Sequence, residues 1–358
     1  NFLPNQWSNI PALQLDKIFN QDEIEASDFI ENLETRQTAI VLSTSGTTNT
    51  PKLVSNSLDG LIRTISRSEN SKYLIWGLFY EPSRFAGLQI ILQSLFGGGK
   101  LLLSKSGQSL DQIIDFYADM HCNAISATPS LWKKLCMSPN LGSLPLKQIT
   151  IGGEIVEQNI LDLLSKKFPA SRIVHIYAST EAGTCLTVTD KKEGFPSAWL
   201  DREINGIKFK ISGESTLCFF SKSFKQQYLK IDTSIYQEKS WIDSGDLVEV
   251  IDDRVYFKGR LNGAINVGGN KVLPEEVEGV ISKVEGVLEV MVSSKKSSIL
   301  GSLVTATVKI DKKKDRKDIQ TLILKKCKSD LESYKVPSFI RFTDEINLSS
   351  GFKIIRNG

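Results

Sequence analysis

The chain has 358 residues, 41% of them hydrophobic and 24% charged, a balance that supports a buried core and excludes a largely disordered polypeptide. At about 150 residues per domain, this length implies about two domains. With 44 Lys and Arg against 41 Asp and Glu the formal net charge is +3, so bulk electrostatics gives no reason to expect nucleic acid or a membrane surface as a partner.

Five cysteines fall at 122, 136, 185, 218 and 327 without a CxxC pair, and there are two histidines. That supply argues against a zinc site and for free thiols in a reducing compartment, so a cytoplasmic protein is expected. The chain starts at Asn1 with no signal-peptide pattern. No apolar run reaches the ~18 residues of a membrane span, so stable membrane insertion is not expected.

From 38 to 260, short apolar runs alternate with helical spacing. Strands are expected at Thr38 to Leu42, Lys100 to Leu103, Gln148 to Ile151 and Arg172 to Ile176. Between them, Leu110, Ile113, Ile114 and Tyr117 share one helical face, as do Ile160, Leu161, Leu164 and Phe168. From about 206 to 258 the pattern becomes β-rich, as at Val255-Tyr256-Phe257. A Gly/Asn-rich stretch from Gly259 to Asn270 follows, and then Pro274-Glu275-Glu276, where proline and acids suit a helix N-terminus. A second late helix carries Ile319, Leu322, Ile323 and Cys327 on one face. The fold class expected is α/β. A large N-terminal domain, 1–260, would combine layered α/β with parallel-rich sheets and a β-rich subdomain, and a small α+β C-terminal domain would span 261–358.

The strongest local signal runs from Ser43 to Lys52, Ser-Thr-Ser-Gly-Thr-Thr-Asn-Thr-Pro-Lys, directly after an expected strand. Hydroxyls, one glycine and one lysine offer backbone N–H groups, rotatable donors and a cation to a polyphosphate. The GxxxxGK[ST] pattern of a Walker A loop is absent. Further along stand Gly152-Gly153-Glu154, Tyr177-Ala178-Ser179-Thr180-Glu181, Asp243-Ser244-Gly245-Asp246, Gly259-Arg260, Gly268-Gly269-Asn270-Lys271 and Lys353-Ile354-Ile355-Arg356. Singly, these are bland: Glu181 and Asp246 would be surface carboxylates, Tyr177 a core residue, Lys353 a solvent lysine. His175, on an expected strand, reads as a packed residue.

Taken in order, the set resembles the motifs of the adenylate-forming (ANL) superfamily of acyl- and aryl-CoA synthetases, peptide-synthetase adenylation domains and luciferases. The loop resembles [ST]SG[ST]TGxPKG, with Asn49 and Leu53 in place of two glycines. The later segments resemble YGxTE, TGD with serine for threonine, and GKIxR with Gly351 one residue further from the lysine. The likeness covers residues 38 to 356, in a compact form resembling o-succinylbenzoate-CoA ligases.

That resemblance implies an AMP-forming acid–thiol ligase using ATP, Mg²⁺ and CoA. Thr44, Ser45, Gly46, Thr47, Thr48 and Lys52 would hold the β- and γ-phosphates. Thr180 would donate to the α-phosphate and Glu181 would be the metal ligand, a carboxylate suited to a hard cation. Gly152, Gly153 and Glu154 would form the adenine-side segment, with Tyr177, Ala178 and Ser179 alongside and the Tyr177 ring stacked on the base. Asp246 would accept the ribose hydroxyls and Arg260 would add a donor. Lys353 would bridge the attacking carboxylate and the phosphate. The C-terminal domain would be mobile, with Asn262 as its hinge, and Asn266 to Asn270 would line the thiol tunnel.

Only about forty residues precede the phosphate loop, fewer than in relatives, which leaves a homodimer open as compensation. Pro82-Ser83-Arg84-Phe85-Ala86-Gly87 occupies the place of the PxFHxxG acyl-pocket segment, with Arg84 in the histidine position. Arg84 would either pair a second carboxylate on the substrate or gate the site and face solvent. Phe85, Gly87, Ser126, Thr128 and Gly183 would line the pocket. Small residues there suit an aryl or branched acid, and Phe85 where amino-acid-activating relatives keep an aspartate argues against an amino acid. An aryl dicarboxylic acid such as o-succinylbenzoate fits both hints. Two other readings stand beside this one: transfer to a carrier-protein phosphopantetheine, and a non-catalytic nucleotide-binding homologue.

Overall fold

The computed structural model describes residues 39–43, 53–105, 107–179, 182–221, 227–228, 241–297 and 301–346. Strand β1 (Ala39–Ser43) pairs antiparallel with β2 (Leu53–Ser57), and β2 pairs with the two-residue β12 (Gln227–Tyr228). This small sheet flanks the segment that the sequence marks as the phosphate loop, which lies outside the described residues.

The site is organised by a larger sheet. Strands β3 (Ile75–Leu78), β4 (Lys100–Leu103), β5 (Ala124–Ala127), β6 (Gln148–Gly152) and β7 (Arg172–Ser179) run parallel in the spatial order β4-β3-β5-β6-β7. Antiparallel β8 (Gly183–Val188) closes the β7 side. Parallel neighbours need crossovers, which the helices Phe85–Gly97, Leu110–Asp119, Pro129–Met137 and Gln158–Lys167 supply in turn. Their starts are written in the chain. Ser109 and Gln112 form a reciprocal capping box, and Thr128 caps the helix that opens with Pro129. The core between these layers includes Tyr117, Ile125, Trp132, Leu135 and Ile151, all fully buried. The Trp132 indole N–H donates to the Thr150 carbonyl at 2.9 Å, satisfying the polar edge of an enclosed ring.

The β-rich stretch forms a five-stranded antiparallel sheet ordered β10-β11-β13-β14-β9. Its strands are β9 (Phe195–Pro196), β10 (Lys208–Ile211), β11 (Thr216–Phe220), β13 (Ile242–Ile251) and β14 (Arg254–Arg260). Phe195, Phe209, Phe219 and Val255 pack between this sheet and β8.

Beyond Arg260 the chain builds a second, separate core from Val277, Ile281, Val292, Val308, Ile319 and Ile323. The Gly/Asn-rich stretch becomes a hairpin of β15 (Ile265–Val267) and β16 (Asn270–Val272). It joins β17 (Val287–Ser297) and β18 (Gly301–Ile310) in the order β16-β15-β18-β17, with β19 (Phe339–Phe342) parallel to β18. Helices Pro274–Ile281 and Arg316–Asp330 cover this sheet. On the second helix Ile319, Ile323 and Cys327 are buried, but Leu322 is 48% exposed and faces away from the predicted stripe. Among the described residues no helix is long and apolar enough to cross a membrane.

Candidate functional site

Three predicted residues meet where the parallel sheet abuts the β-rich sheet. Tyr177, near the carboxyl end of β7, donates its phenol to Asp246 Oδ2 at 2.7 Å. Arg260, the last residue of β14, donates Nε to Asp246 Oδ1 at 2.9 Å. The backbone makes this meeting possible, because Asp246 and Arg260 are direct cross-strand partners. The register slips between Leu247 and Val248, opposite Gly259 and Phe257, so Lys258 bulges out and the end of β14 is re-aimed. The turn before Asp246 is fastened from within. Ser244 Oγ donates to the Leu217 carbonyl at 2.6 Å and accepts the Asp246 N–H at 3.0 Å, while Thr216 donates to Asp243 at 2.8 Å. Asp246 is 9% exposed, so its carboxylate is held rather than solvated.

Burial pushes the Tyr177 phenol well above its ordinary pKa, and the neighbouring Asp246 charge adds to the shift. The ring therefore stays protonated and remains a donor. One face of it stacks on Phe257, with centroids 4.7 Å apart and planes 26° apart. Phe257 in turn packs on Phe195 at 5.8 Å. Sequence reasoning placed Phe257 only in a strand; the alternation of β14, which puts Arg254, Tyr256 and Lys258 on the other side, is the signal that could have found it.

Of the predicted pocket residues, Ser126 lies in β5 with Thr128 just after it and Gly183 opens β8, while the predicted adenine-side residues Gly152, Gly153 and Glu154 fall at the end of β6. Gly152 ends β6 where a Cβ would lie 2.7 Å from the Ile176 carbonyl, so glycine is needed there for strand packing. Gly153 follows in the turn. Glu154 accepts the Ser130 N–H at 2.9 Å, setting a carboxylate on the N-terminus of the Pro129–Met137 helix. Thr128 is buried and accepts the Leu131 N–H as that helix's cap, and Ser126 lies beside the buried phenol of Tyr80. Tyr80, beside Glu154 and raised in pKa mainly by burial, was missed in sequence because it follows an unrecognised strand.

Arg84 precedes the Phe85–Gly97 helix as its N-cap, with Nε 3.5 Å from Glu81 Oε2. Ser83 donates to the other Glu81 oxygen at 2.6 Å. Phe85 packs toward the cluster of Leu58, Leu88 and Leu92. Gly87 is pressed against the preceding loop, since a Cβ would stand 2.2 Å from the Glu81 carbonyl oxygen. Ala178 and Ser179 pair with Thr184 and Gly183 across β7 and β8, and the Ser179 hydroxyl accepts the Ala182 N–H at 3.0 Å. Asn262 lies exposed in the short 3-10 turn Leu261–Gly263. Thr44, Ser45, Gly46, Thr47, Thr48, Lys52, Thr180, Glu181 and Lys353 lie outside the described residues. Among the described residues no three His, Cys, Asp or Glu side chains converge on a metal position.

The sequence matches the family model described as AMP-binding enzyme over residues 7–217 and the AMP-binding enzyme C-terminal domain over 276–353. The chain therefore belongs to the AMP-binding enzyme family, an adenylate-forming class. Among curated relatives, it is 23% identical over 354 residues to the 2-succinylbenzoate–CoA ligase of Listeria monocytogenes, covering 94% of this chain and 73% of the relative. It is 24% identical over 371 residues to the D-alanine–D-alanyl carrier protein ligase of Staphylococcus aureus, covering 95% and 75%. Identity to bacitracin synthase 3 of Bacillus licheniformis is 22%, over 89% of this chain but 5% of that protein. Among solved structures, E. coli MenE with bound OSB-AMS superposes with a TM-score of 0.70 at 20% identity, over 88% of this chain and 66% of that one. The o-succinylbenzoate coenzyme A synthetase of Bacillus subtilis in complex with ATP and magnesium ion gives 0.65 at 19%, over 88% and 68%. These likenesses establish the mixed α/β fold of the large part and the small C-terminal part.

Proposed function

We propose that the chain uses ATP to convert a carboxylic acid into an acyl-adenylate and then passes the acyl group to the thiol of CoA. The observation that carries this reading is the Tyr177–Asp246–Arg260 arrangement. An ionised carboxylate offers about four lone-pair sites, and Tyr177 and Arg260 use one on each oxygen. The remaining capacity suits a pair of vicinal hydroxyls, the hydrogen-bonding signature of a ribose. Phe257 backs one face of Tyr177, and in this reading the opposite face would be the platform for adenine.

In this reading residues 1–260 carry adenylation and 261–358 form the mobile partner hinged at Asn262. The chemistry brings a substrate carboxylate against an α-phosphate while pyrophosphate leaves. Positioning and charge neutralisation supply most of the acceleration. The 44–52 loop with Lys52 would hold the outgoing phosphates, Thr180 would steady the α-phosphate, and Lys353 would sit between the two reacting anions. Magnesium held by Glu181 would neutralise phosphate charge when bound.

For the acid, the proposal is an aryl or dicarboxylic compound such as o-succinylbenzoate. Support comes from the named activity of the Listeria relative and from Arg84, a partly exposed guanidinium in the segment after β3 whose Nε lies 3.5 Å from Glu81 Oε2. The Staphylococcus relative supports a second reading, in which a carrier-protein phosphopantetheine replaces CoA. The test is trapping of the adenylate with hydroxylamine for each acid, followed by mass detection of thioester with CoA or carrier protein as acceptor. Adenylate with o-succinylbenzoate and thioester on CoA support the first reading. Thioester on the carrier alone supports the second, and no adenylate with any acid contradicts both.

A further inference from the structure

The two cores touch along a seam that the adenylation reading does not use. On one side is the Pro129–Met137 helix, whose first turn holds Thr128 and the Ser130–Glu154 contact. On the other side is the β17–β18 hairpin of the C-terminal core. Lys134 Nζ reaches across to Glu289 Oε2 at 3.6 Å. The second oxygen of Glu289 accepts from Lys309 Nζ at 2.9 Å, within the hairpin. The Glu289 side chain is 11% exposed, so this carboxylate is largely withdrawn from water and flanked by a cation from each core. A short distance away the helix Pro274–Ile281 runs over Glu157, close enough that a Cβ on Gly279 would come within 3.1 Å of its Oε1.

The seam is not a continuous hydrophobic weld. Beside the ion pair lies a cavity of about 430 Å³, lined by Met137, Ser138 and Pro139 from one core and by Lys309, Glu345 and Ile346 from the other. Space of that size holds water. At this point the two cores are bridged by an ion pair beside a space large enough for water. We infer that Lys134 and Glu289 form an electrostatic clasp that holds the C-terminal core docked on the pocket-bearing Pro129–Met137 helix, and that Lys309 keeps Glu289 aimed at it.

Such a clasp releases with salt, because the screening length shortens from about 10 Å at 0.1 M to about 3 Å at 1 M. A partly exposed pair contributes up to about 1 kcal/mol, so losing it raises the undocked population by up to about fivefold. Lys134→Met is the informative change, since it leaves the Glu289–Lys309 pair and the hairpin intact. Lys134→Arg retains the charge and the reach. The readout is the rate of tryptic cleavage within 258–272, fragments being assigned by mass and trypsin activity normalised on a free peptide at each salt concentration. Cleavage tracks the open population when reclosing outpaces proteolysis. The clasp predicts faster cleavage in Lys134→Met, by up to about fivefold, wild-type speed in Lys134→Arg, an unchanged melting temperature, and salt acceleration of wild type that Lys134→Met lacks. A wild-type cleavage rate indifferent to salt overturns the inference even if the variant fails to fold. So does a folded Lys134→Met cleaved at the wild-type rate, or Lys134→Arg cleaved as fast as Lys134→Met. None of these readouts depends on turnover, so the clasp and the adenylation reading fail separately.

Discussion

If the Tyr177 phenol holds Asp246 for the ribose, removing that one oxygen weakens nucleotide binding in a way that depends on the carboxylate. The substitution is Tyr177→Phe, which keeps the stack on Phe257 and deletes the 2.7 Å bond to Asp246 Oδ2. Hydrogen bonds to a charged group contribute about 1.5–3 kcal/mol. Tyr177 is only partly buried in the accessible surface, which favours the lower end. A loss of about 1.5 kcal/mol corresponds to a roughly tenfold weaker Kd for ATP. The assay is calorimetric titration of ATP into wild type, Tyr177→Phe, Asp246→Asn and the double variant. In a cycle of contacting residues the coupling appears as non-additivity of about 1.5 kcal/mol, the second change costing little once the first is made. Losses that add to within about 0.3 kcal/mol would refute the argument that the phenol acts through Asp246, and an unchanged Kd in Asp246→Asn would refute the ribose assignment itself.

Acid should destabilise the fold through His175, 6% exposed and held by burial, with the Arg254 charge nearby, at a pKa of about 4. Its unfolded value is near 6.5, so the unfolded chain takes up the proton first. The stability is present above pH 6.5, falls by about 3 kcal/mol as the pH drops to about 4, and changes no further on this account below that. Urea unfolding against pH should show this slope and His175→Gln should flatten it; an equal slope in both would remove His175 as the cause. Arg254→Met should lower stability by about 1–3 kcal/mol in urea melts, because the buried guanidinium ties the 190–194 loop through the partly exposed Asp190 at 2.7 Å and three carbonyls. A loss under about 1 kcal/mol would contradict that network. Gly87→Ala places a Cβ against the Glu81 carbonyl and should cost at least about 1–3 kcal/mol; a melting temperature equal to wild type would show that the loop gives way freely.

Elements with a strong pattern were legible in the sequence. Lys100–Leu103 is the predicted strand residue for residue, and β6 and β7 merely extend the predicted runs. Strands β3 and β5 were not, because Ala-Ile-Ser-Ala is too short and too small to carry a period, although all four residues are buried. Spacing puts Leu322 on one face with Ile319, Ile323 and Cys327, yet only those three are buried, because the sheet beneath contacts one side of that helix. For the site, ordered motifs brought out Tyr177, Asp246 and Arg260 individually. Their mutual hydrogen bonds depend on a bulge at Lys258 and on contact between two sheets, neither of which leaves a local signature. Tyr80 and Phe257 escaped for the same reason: a buried aromatic looks alike in sequence whether it backs a site or fills a core.

Adenylation is tested most directly by acid-dependent release of pyrophosphate from ATP and Mg²⁺, measured over a panel of fatty, aryl and dicarboxylic acids with Lys353→Ala in parallel. Release that requires one class of acid and collapses in Lys353→Ala is the predicted result. ATP binding with no release for any acid would contradict it and leave a nucleotide-binding protein without the chemistry.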